Sequence, residues 1–370
     1  MPVSPAMAEN LAGAVAGLYE AAEVTIIERI AGALARGLES PLWAELRLAA
    51  VGSLRDAVGE VVAALQQDAD GAIRAAVAAA YARGQQAAVA ELGALSPGRA
   101  AAARRLPGAP AVDRLAAGLL DEVRPVYSRV TRVSDDVYRQ VVARASAAPL
   151  LGVQTRRQAA QTALDRFADR GVTGFVDARG RGWDMRSYVE MATRTTVGRA
   201  AVEAHTGRLA AAGIDLVMVS DSPEECPRCR PWERKVLVRE GPSGARTVEV
   251  EHSTEDGRTV SVRVAGSLAE ARAAGLQHPN CRHTVSAYLP GVTRTPPRQE
   301  DRGTYEQTQQ QRYLERQVRQ WKRRAAAALD DDKRRQANAK VRAYQRRIRE
   351  LTAETGLPRK SQREQAETAR

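Results

Sequence analysis

The chain is expected to be mainly helical with one small α+β module. Long N-terminal helices come first, then a compact Cys/His-containing α+β module, then a C-terminal helical arm. Three observations predict this. Apolar residues recur at helical spacing over most of the first 213 positions. The pattern then switches to short apolar/polar alternation before returning to helical composition from Tyr305. Aromatic residues make up only 4% of the chain, so Ala, Leu and Val must do the packing, which suits close-packed helices.

Residues 7 to 38 read as an amphipathic helix, with Leu11, Val15, Leu18, Ala22, Ile26, Ile30 and Leu34 in the i, i+3/i+4 rhythm. A second helical region runs from Pro41 to about Leu95. Ser40 can cap it and Pro41 suits its first position, while Gly59 and Gly71 could loosen it. "GALSPGRAAAARRLPGAP" is punctuated by Gly and Pro and reads as a linker. Helices follow at about 112–147 and 154–170. "DRGVTGFVDARGRGW" breaks the pattern, and "ARGRGW" reads as a turn because no strand–loop–helix phosphate pattern surrounds it. Asp184 can cap the next helix, which Gly213 would end. On that helix Met185, Tyr188, Val189 and Ala192 share one face. Glu190 and Arg194 form an i,i+4 pair that is either solvated or sends Arg194 into the following module.

"IDLVMVS" reads as a short buried strand, and "KVLVRE", "RTVEVEH" and "RTVSVRV" as half-exposed ones. "SLAEARAAG" is a short helix and "HTVSAYL" a last strand. "PGVTRTPPRQEDRG" is a second linker. Two helices then fit, with apolar stripes at Leu314, Val318 and Trp321 and at Val341, Tyr344, Ile348 and Leu351, and a break possible at "DDD". The expected regions are 1–106 (helical), 107–213 (helical), 214–291 (the Cys/His module) and 292–370 (the basic arm).

The net charge is +12, and 19 basic against 10 acidic residues lie between Asp301 and Arg370, so most of the excess is C-terminal. A genome rich in Arg codons accounts for the near absence of Lys but not for where the charge sits. The arm either keeps a helical surface solvated or contacts the phosphates of double-stranded DNA without reading sequence. The contact candidates are Arg316, Arg319, Lys322, Arg323, Arg324, Lys333, Arg334, Arg335, Arg346 and Arg347. Only Tyr313, Trp321 and Tyr344 could stack on bases there. Three cysteines argue against a disulfide framework and for a reducing compartment. No leader pattern opens the chain, and no uncharged apolar run is long enough to span a membrane, so a soluble protein made in the cytoplasm is expected.

All three cysteines and two of the four histidines fall in two patches, "CPRC" and "HPNCRH". C-x2-C on a tight turn lets two thiolates reach one ion, and H-x2-C repeats that spacing with an imidazole. Cys226, Cys229, His278 and Cys281 form a Cys3His set. His283 is an alternative fourth ligand or a supporting partner. Zinc suits such donors, and a closed four-ligand site is structural rather than catalytic. Enzyme readings are a Cys281/His283 nucleophile pair, for which no orienting third group suggests itself, and a metal nuclease using His283 and Asp221.

Four ordered stretches, "DARGRGWDMRSYVEMATRTTVGRA", "VMVSDSPEECPRCRPWERKVL", "HPNCRHTVSAYLPG" and "YEQTQQQRYLERQVRQWKRR", resemble the minor capsid proteins of tailed phages, which are related to MuF-like head morphogenesis proteins. The resemblance covers about residues 175–365. Its signature falls on Trp183, Tyr188, Val189, Glu190, Met191, Arg194 and Thr195, on Cys226, Pro227 and Cys229, and on residues 278–283. It implies a structural virion protein inside the capsid near the portal, assembled in the host cytoplasm. The implied partners are the portal protein, other head proteins and packaged DNA. Relatives often carry Gly where this chain has Arg234, so a turn there is expected to differ. MuF-like regions also occur beside toxin domains, which keeps a phage-associated metal-dependent nuclease or toxin-like effector enzyme as the alternative. A DNA-binding protein acting outside a virion is a third reading.

Overall fold

The computed structural model describes residues 5–93, 110–150, 152, 154–172, 175–176, 180, 182–222, 226–279, 281–295, 297–298 and 303–364. Most of the Gly/Pro linker after Gly93, part of "ARGRGW", part of the second linker and Asn280 lie outside these residues. The fold is mainly helical with a small antiparallel sheet module, as the residue pattern predicts. The helices are α1 (Pro5–Ala35), α2 (Trp43–Ala49), α3 (Val51–Gly93), α4 (Pro110–Leu150), α5 (Arg156–Arg170), α6 (Met185–Ala211), α7 (Leu268–Ala273), α8 (Tyr305–Ala326) and α9 (Asp331–Thr355). The strands are β1 (Phe175–Val176), β2 (Gly182–Trp183), β3 (Leu216–Val219), β4 (Val236–Val238), β5 (Arg246–Glu251), β6 (Thr259–Val264) and β7 (Val285–Ala287).

Caps explain several boundaries. Thr155 and Gln158 close a capping box on α5, as Ser267 and Glu270 do on α7. Asp184 accepts from the Ser187 N–H at 2.9 Å at the start of α6. Asp330 accepts from Lys333 N–H at 2.8 Å at the start of α9, and Gly356 ends that helix with φ 71°. The second helical region differs from expectation. Pro41 lies in a turn, α2 begins at Trp43, and α2 and α3 separate at Ala50. The Trp43 ring is fully buried and its indole N–H donates to the Leu34 carbonyl at 3.0 Å, which ties the start of α2 to α1. Gly59 and Gly71 do not interrupt α3.

The chain divides into two compact units, each assembled from three stretches. The first unit takes residues 1–12, 73–119 and 191–305. Its centre is the sheet β4-β3-β7, all antiparallel. β3 is buried along its whole length because both faces are covered. Val217 and Val219 join Leu92 of α3 and Val202 and Leu209 of α6 in one core. Leu216 joins Val238, Val262 and Val264 in another, on the β5–β6 hairpin. α3 and α6 meet at Gly84, where an added Cβ would come within 2.1 Å of the Ala201 carbonyl oxygen. Buried His205 meets Glu91 at 2.9 Å, and Glu91 also accepts from the Ala287 N–H of β7 at 2.7 Å.

The second unit takes residues 13–72, 120–190 and 306–370. α8 and α9 form a helical hairpin whose seam is Leu314, Val318, Val341, Ile348 and Leu351, with Trp321 and Tyr344 packed on it. These are the two stripes read from the sequence. The unit also buries a set of ion pairs. Arg186, 1% exposed, meets Glu20 at 2.5 Å and Glu190 at 3.5 Å. Arg323 meets Glu23 at 3.5 Å, and Arg363 meets Glu190 at 3.0 Å and Glu315 at 3.8 Å.

This corrects part of the expected DNA surface. Arg319 and Arg323 are only 5% and 7% exposed. Arg319 donates to the Arg363 carbonyl at 2.9 Å and lies 3.8 Å from Glu20, while Arg323 donates to the Ala168 carbonyl at 2.8 Å. Arg324 is held by Asp169 through two 2.6 Å hydrogen bonds. These three arginines hold α8 in place and are not free for phosphate.

Candidate metal centre

The sheet register brings the two Cys/His patches together. β3 pairs β4 with Met218 opposite Val236, and β3 pairs β7 with Val219 opposite Val285. The loop carrying Cys226 and Cys229 therefore leaves the same end of the sheet at which the segment carrying His278, Cys281 and His283 arrives. The Ser220 N–H donates to the Thr284 carbonyl at 2.9 Å, and the Thr284 N–H donates to the Ser220 hydroxyl at 3.0 Å, which ties the two segments.

Each patch is a tight turn. The Cys229 and Arg230 N–H groups both donate to the Cys226 carbonyl, at 3.0 and 3.2 Å, before a 3-10 turn at Arg230–Trp232. The Cys281 N–H donates to the His278 carbonyl at 2.8 Å. Two overlapping groups of metal-capable donors result: Cys226, Cys229 and His278, and Cys229, Cys281 and His283. Within each group the donor atoms lie within 4.8 Å of one another. Cys226 Sγ is 3.1 Å from His278 Nε2, Cys229 Sγ is 3.6 Å from Cys281 Sγ, and Cys281 Sγ is 3.4 Å from His283 Nδ1. Two sulfurs on one tetrahedral ion with bonds of about 2.3 Å sit about 3.8 Å apart, so the Cys229–Cys281 spacing fits. All three cysteines are free thiols.

The electrostatics favour thiolate character at two of the sulfurs. The hydrogen bond with Cys229, joined by His283, outweighs burial and brings the Cys281 thiol down to about 4. Burial works to raise Cys226, but its hydrogen bond with His278 and the nearby backbone N–H groups hold it below the usual thiol range. Cys229 moves the other way, raised by its hydrogen bond with Cys281 and by burial. A metal requires deprotonated sulfur, and the shifts at Cys281 and Cys226 run toward that form.

The two histidines differ in their second nitrogen. His278 Nδ1 lies 2.7 Å from the Pro279 carbonyl, which makes it the N–H side and leaves Nε2 facing Cys226. His283 Nε2 lies 2.5 Å from the buried Glu233 carboxylate, which also accepts from the Ser222 N–H at 3.2 Å. Both arrangements are of the kind that orient a metal-bound imidazole. Sequence reasoning misses Glu233. The signal available is an acid four residues after the second cysteine, in "CRPWE". Glu233 also supplies the orienting third group that the Cys281/His283 pair lacks in the residue pattern.

The signature residues lie elsewhere. Trp183 packs edge-on against Tyr188 with ring centroids 6.4 Å apart, and the Tyr188 hydroxyl donates to Glu122 at 2.7 Å. Val189 is fully buried, and Glu190 receives Arg186 and Arg363. Thr195 donates to the Met191 carbonyl at 2.8 Å. Arg194 is 5% exposed, so the solvated alternative for it does not hold. Arg234 has φ 59°, the left-handed conformation that favours Gly, which fits the residue expected there in relatives.

Compared with known families, the chain matches the model described as phage minor capsid protein 2 over residues 3–353, and it belongs to that family. It is similar to a protein named structural protein from Lactococcus phage LL-H, with 26% identity over 226 residues. That stretch is 59% of this chain and 58% of the phage LL-H protein, so the match spans little more than half of either. No solved structure matches the chain.

Proposed function

We propose that this chain is a non-enzymatic structural subunit of a tailed-phage head, placed inside the capsid near the portal, with other head proteins and the packaged DNA as neighbours. The family match over residues 3–353 carries this reading. Mass spectrometry of purified virions tests it: the protein should be present at a few copies per particle. Its absence from particles while it accumulates in infected cells would overturn the assignment.

In this reading the Cys/His module is held by zinc. Cys226, Cys229 and Cys281 with His278 or His283 would hold the ion, which supplies a cross-link and no reaction. The donor chemistry supports zinc, and such sites contribute on the order of 10 kcal/mol to small modules. Elemental analysis of purified protein should find one zinc per chain.

The Cys281–His283–Glu233 line also favours a second reading, a thiol nucleophile oriented by a His/Glu pair. The metal reading gives all five clustered residues a role, four as ligands and the other histidine as a supporting partner, whereas a nucleophile leaves Cys226, Cys229 and His278 without one. A nuclease base at His283 fits less well, because both ring nitrogens face partners, Cys281 and Glu233. Iodoacetamide separates zinc from nucleophile. Zinc-bound sulfurs should label only after chelation, whereas rapid labelling of Cys281 in untreated protein would favour the thiol enzyme.

A further inference from the structure

We infer that one face of α9, carrying Arg335, Arg342, Arg346 and Arg349, is the surface that docks onto the phosphate backbone of double-stranded DNA. This rests on the reading that the protein lies against packaged DNA, and it replaces most of the arginines first considered. The four residues are spaced 7, 4 and 3 apart, so they form one row along the helix. The row lies opposite the face formed by Ala337, Val341, Ile348 and Leu351, which is buried. All four arginines are exposed. From Arg335 to Arg349 the row runs about 21 Å at a rise of about 1.5 Å per residue.

Three of the four charges on this row are uncompensated. Arg335 pairs with Asp332 and Arg334 with Asp331, both in the first turn. Arg342, Arg346 and Arg349 make no ion pair among the described residues, and neither do the later acids Glu350 and Glu354. Like charges at i+3 and i+4 destabilise a helix, and a face built only for solubility gains from interleaved acids. A row of guanidiniums left without them is complementary to a polyanion. The nearby aromatic rings are occupied: Trp321 lies under Arg324 at 4.5 Å and Lys340 at 6.0 Å, and Tyr344 under Arg347 at 5.6 Å. The row therefore meets phosphate and not bases, which makes binding independent of sequence.

The test uses the full-length protein and a labelled duplex about 30 base pairs long, titrated by anisotropy between about 50 and 200 mM salt. The variant is Arg342→Gln with Arg346→Gln and Arg349→Gln; the control changes Arg132, Arg139 and Arg144, exposed on α4, to Gln. Gln keeps helix propensity, and equal thermal midpoints would show both variants folded. Each guanidinium withdrawn from the phosphates should reduce the log–log salt slope by about 0.9, so the α9 variant's slope should fall by about 2.7 and the control's hardly at all. If wild type binds and the α9 variant keeps its slope, the docking face is wrong while DNA binding stands. If wild type does not bind duplex, both fall. Binding of poly-glutamate in place of duplex would assign the row to an acidic protein and overturn the proposal.

Discussion

The two units bury polar chemistry by opposite routes. In the first, five donors come from two short turns, and antiparallel pairing of β3 with β4 and β7 brings the turns to one end of a small sheet. In the second, the buried charges are collected one at a time from distant helices. Arg323 and Glu23 lie 300 positions apart, and Arg186 meets Glu20 across the interval from α6 to α1. A local cluster can be completed by one added ion. A dispersed ion-pair set depends on every helix being in register, so each member depends on the others.

The contrast predicts where each unit breaks. The largest effect is expected for Cys229→Ser, because Cys229 is buried and is the one residue common to both donor groups. The substitution should abolish metal content and unfold the module, seen as loss of amide-exchange protection in β3, β4 and β7. Retained zinc and retained protection would move the centre away from Cys229. Next comes Arg186→Met, which takes from buried Glu20 its nearest counter-charge and leaves Arg319 at 3.8 Å. Breaking one side of a buried pair costs about 3–5 kcal/mol, and denaturant unfolding should register it. A loss under about 1 kcal/mol would mean that the pair is replaceable by packing, as some buried pairs are.

The second unit should also have a pH signature. Burial, opposed by Arg186 and Arg319, pushes the Glu20 carboxyl up to about 7, and burial raises Glu23 and Glu315 as well. A carboxyl with a raised folded-state pKa binds its proton more tightly in the folded chain. Its contribution to stability is complete below the unfolded value of about 4.3 and is lost as pH rises through about 7. Glu20→Gln should therefore flatten the fall in stability between about pH 4.3 and about pH 7. An unchanged slope would exclude Glu20 as the titrating group.

The same contrast explains what can be read from the residues. The helices, the strands near 216–264 and the α8–α9 seam follow from period and capping, which are local. The five metal-capable donors stand out because cysteine and histidine are rare here and fall in two patches. Glu233 does not, since one acid among many carries no mark until the fold brings it to His283. Arg319 and Arg323 pass for surface charge because "RQWKRRAAAALDDDK" reads as a basic solvated helix. Only the distant Glu20, Glu23 and Ala168 carbonyl reveal them as interior. Exposure of a charged residue is a tertiary property, so local pattern misassigns it where the partner is far away in sequence.

A smaller effect tests how tightly the first unit is packed away from its centre. At Gly84 the obstacle is Ala201 backbone, which cannot rotate aside. Gly84→Ala should cost about 1–3 kcal/mol through forced separation of α3 and α6, although Ala is the better helix former. A gain in stability would show that the two helices can part freely.

The smallest expected effect lies at Arg234, just beyond Glu233. Its φ of 59° places a Cβ-bearing residue in the left-handed region, which costs roughly 1 kcal/mol relative to Gly. Arg234→Gly removes that strain but gives the unfolded chain more freedom, so the net gain should be at most about 1 kcal/mol. The substitution leaves the donors untouched, so zinc content should stay constant while the thermal midpoint rises slightly. If zinc affinity rises instead, the turn positions Glu233 and through it His283. If stability falls, the Arg234 side chain contributes more than the strain it imposes.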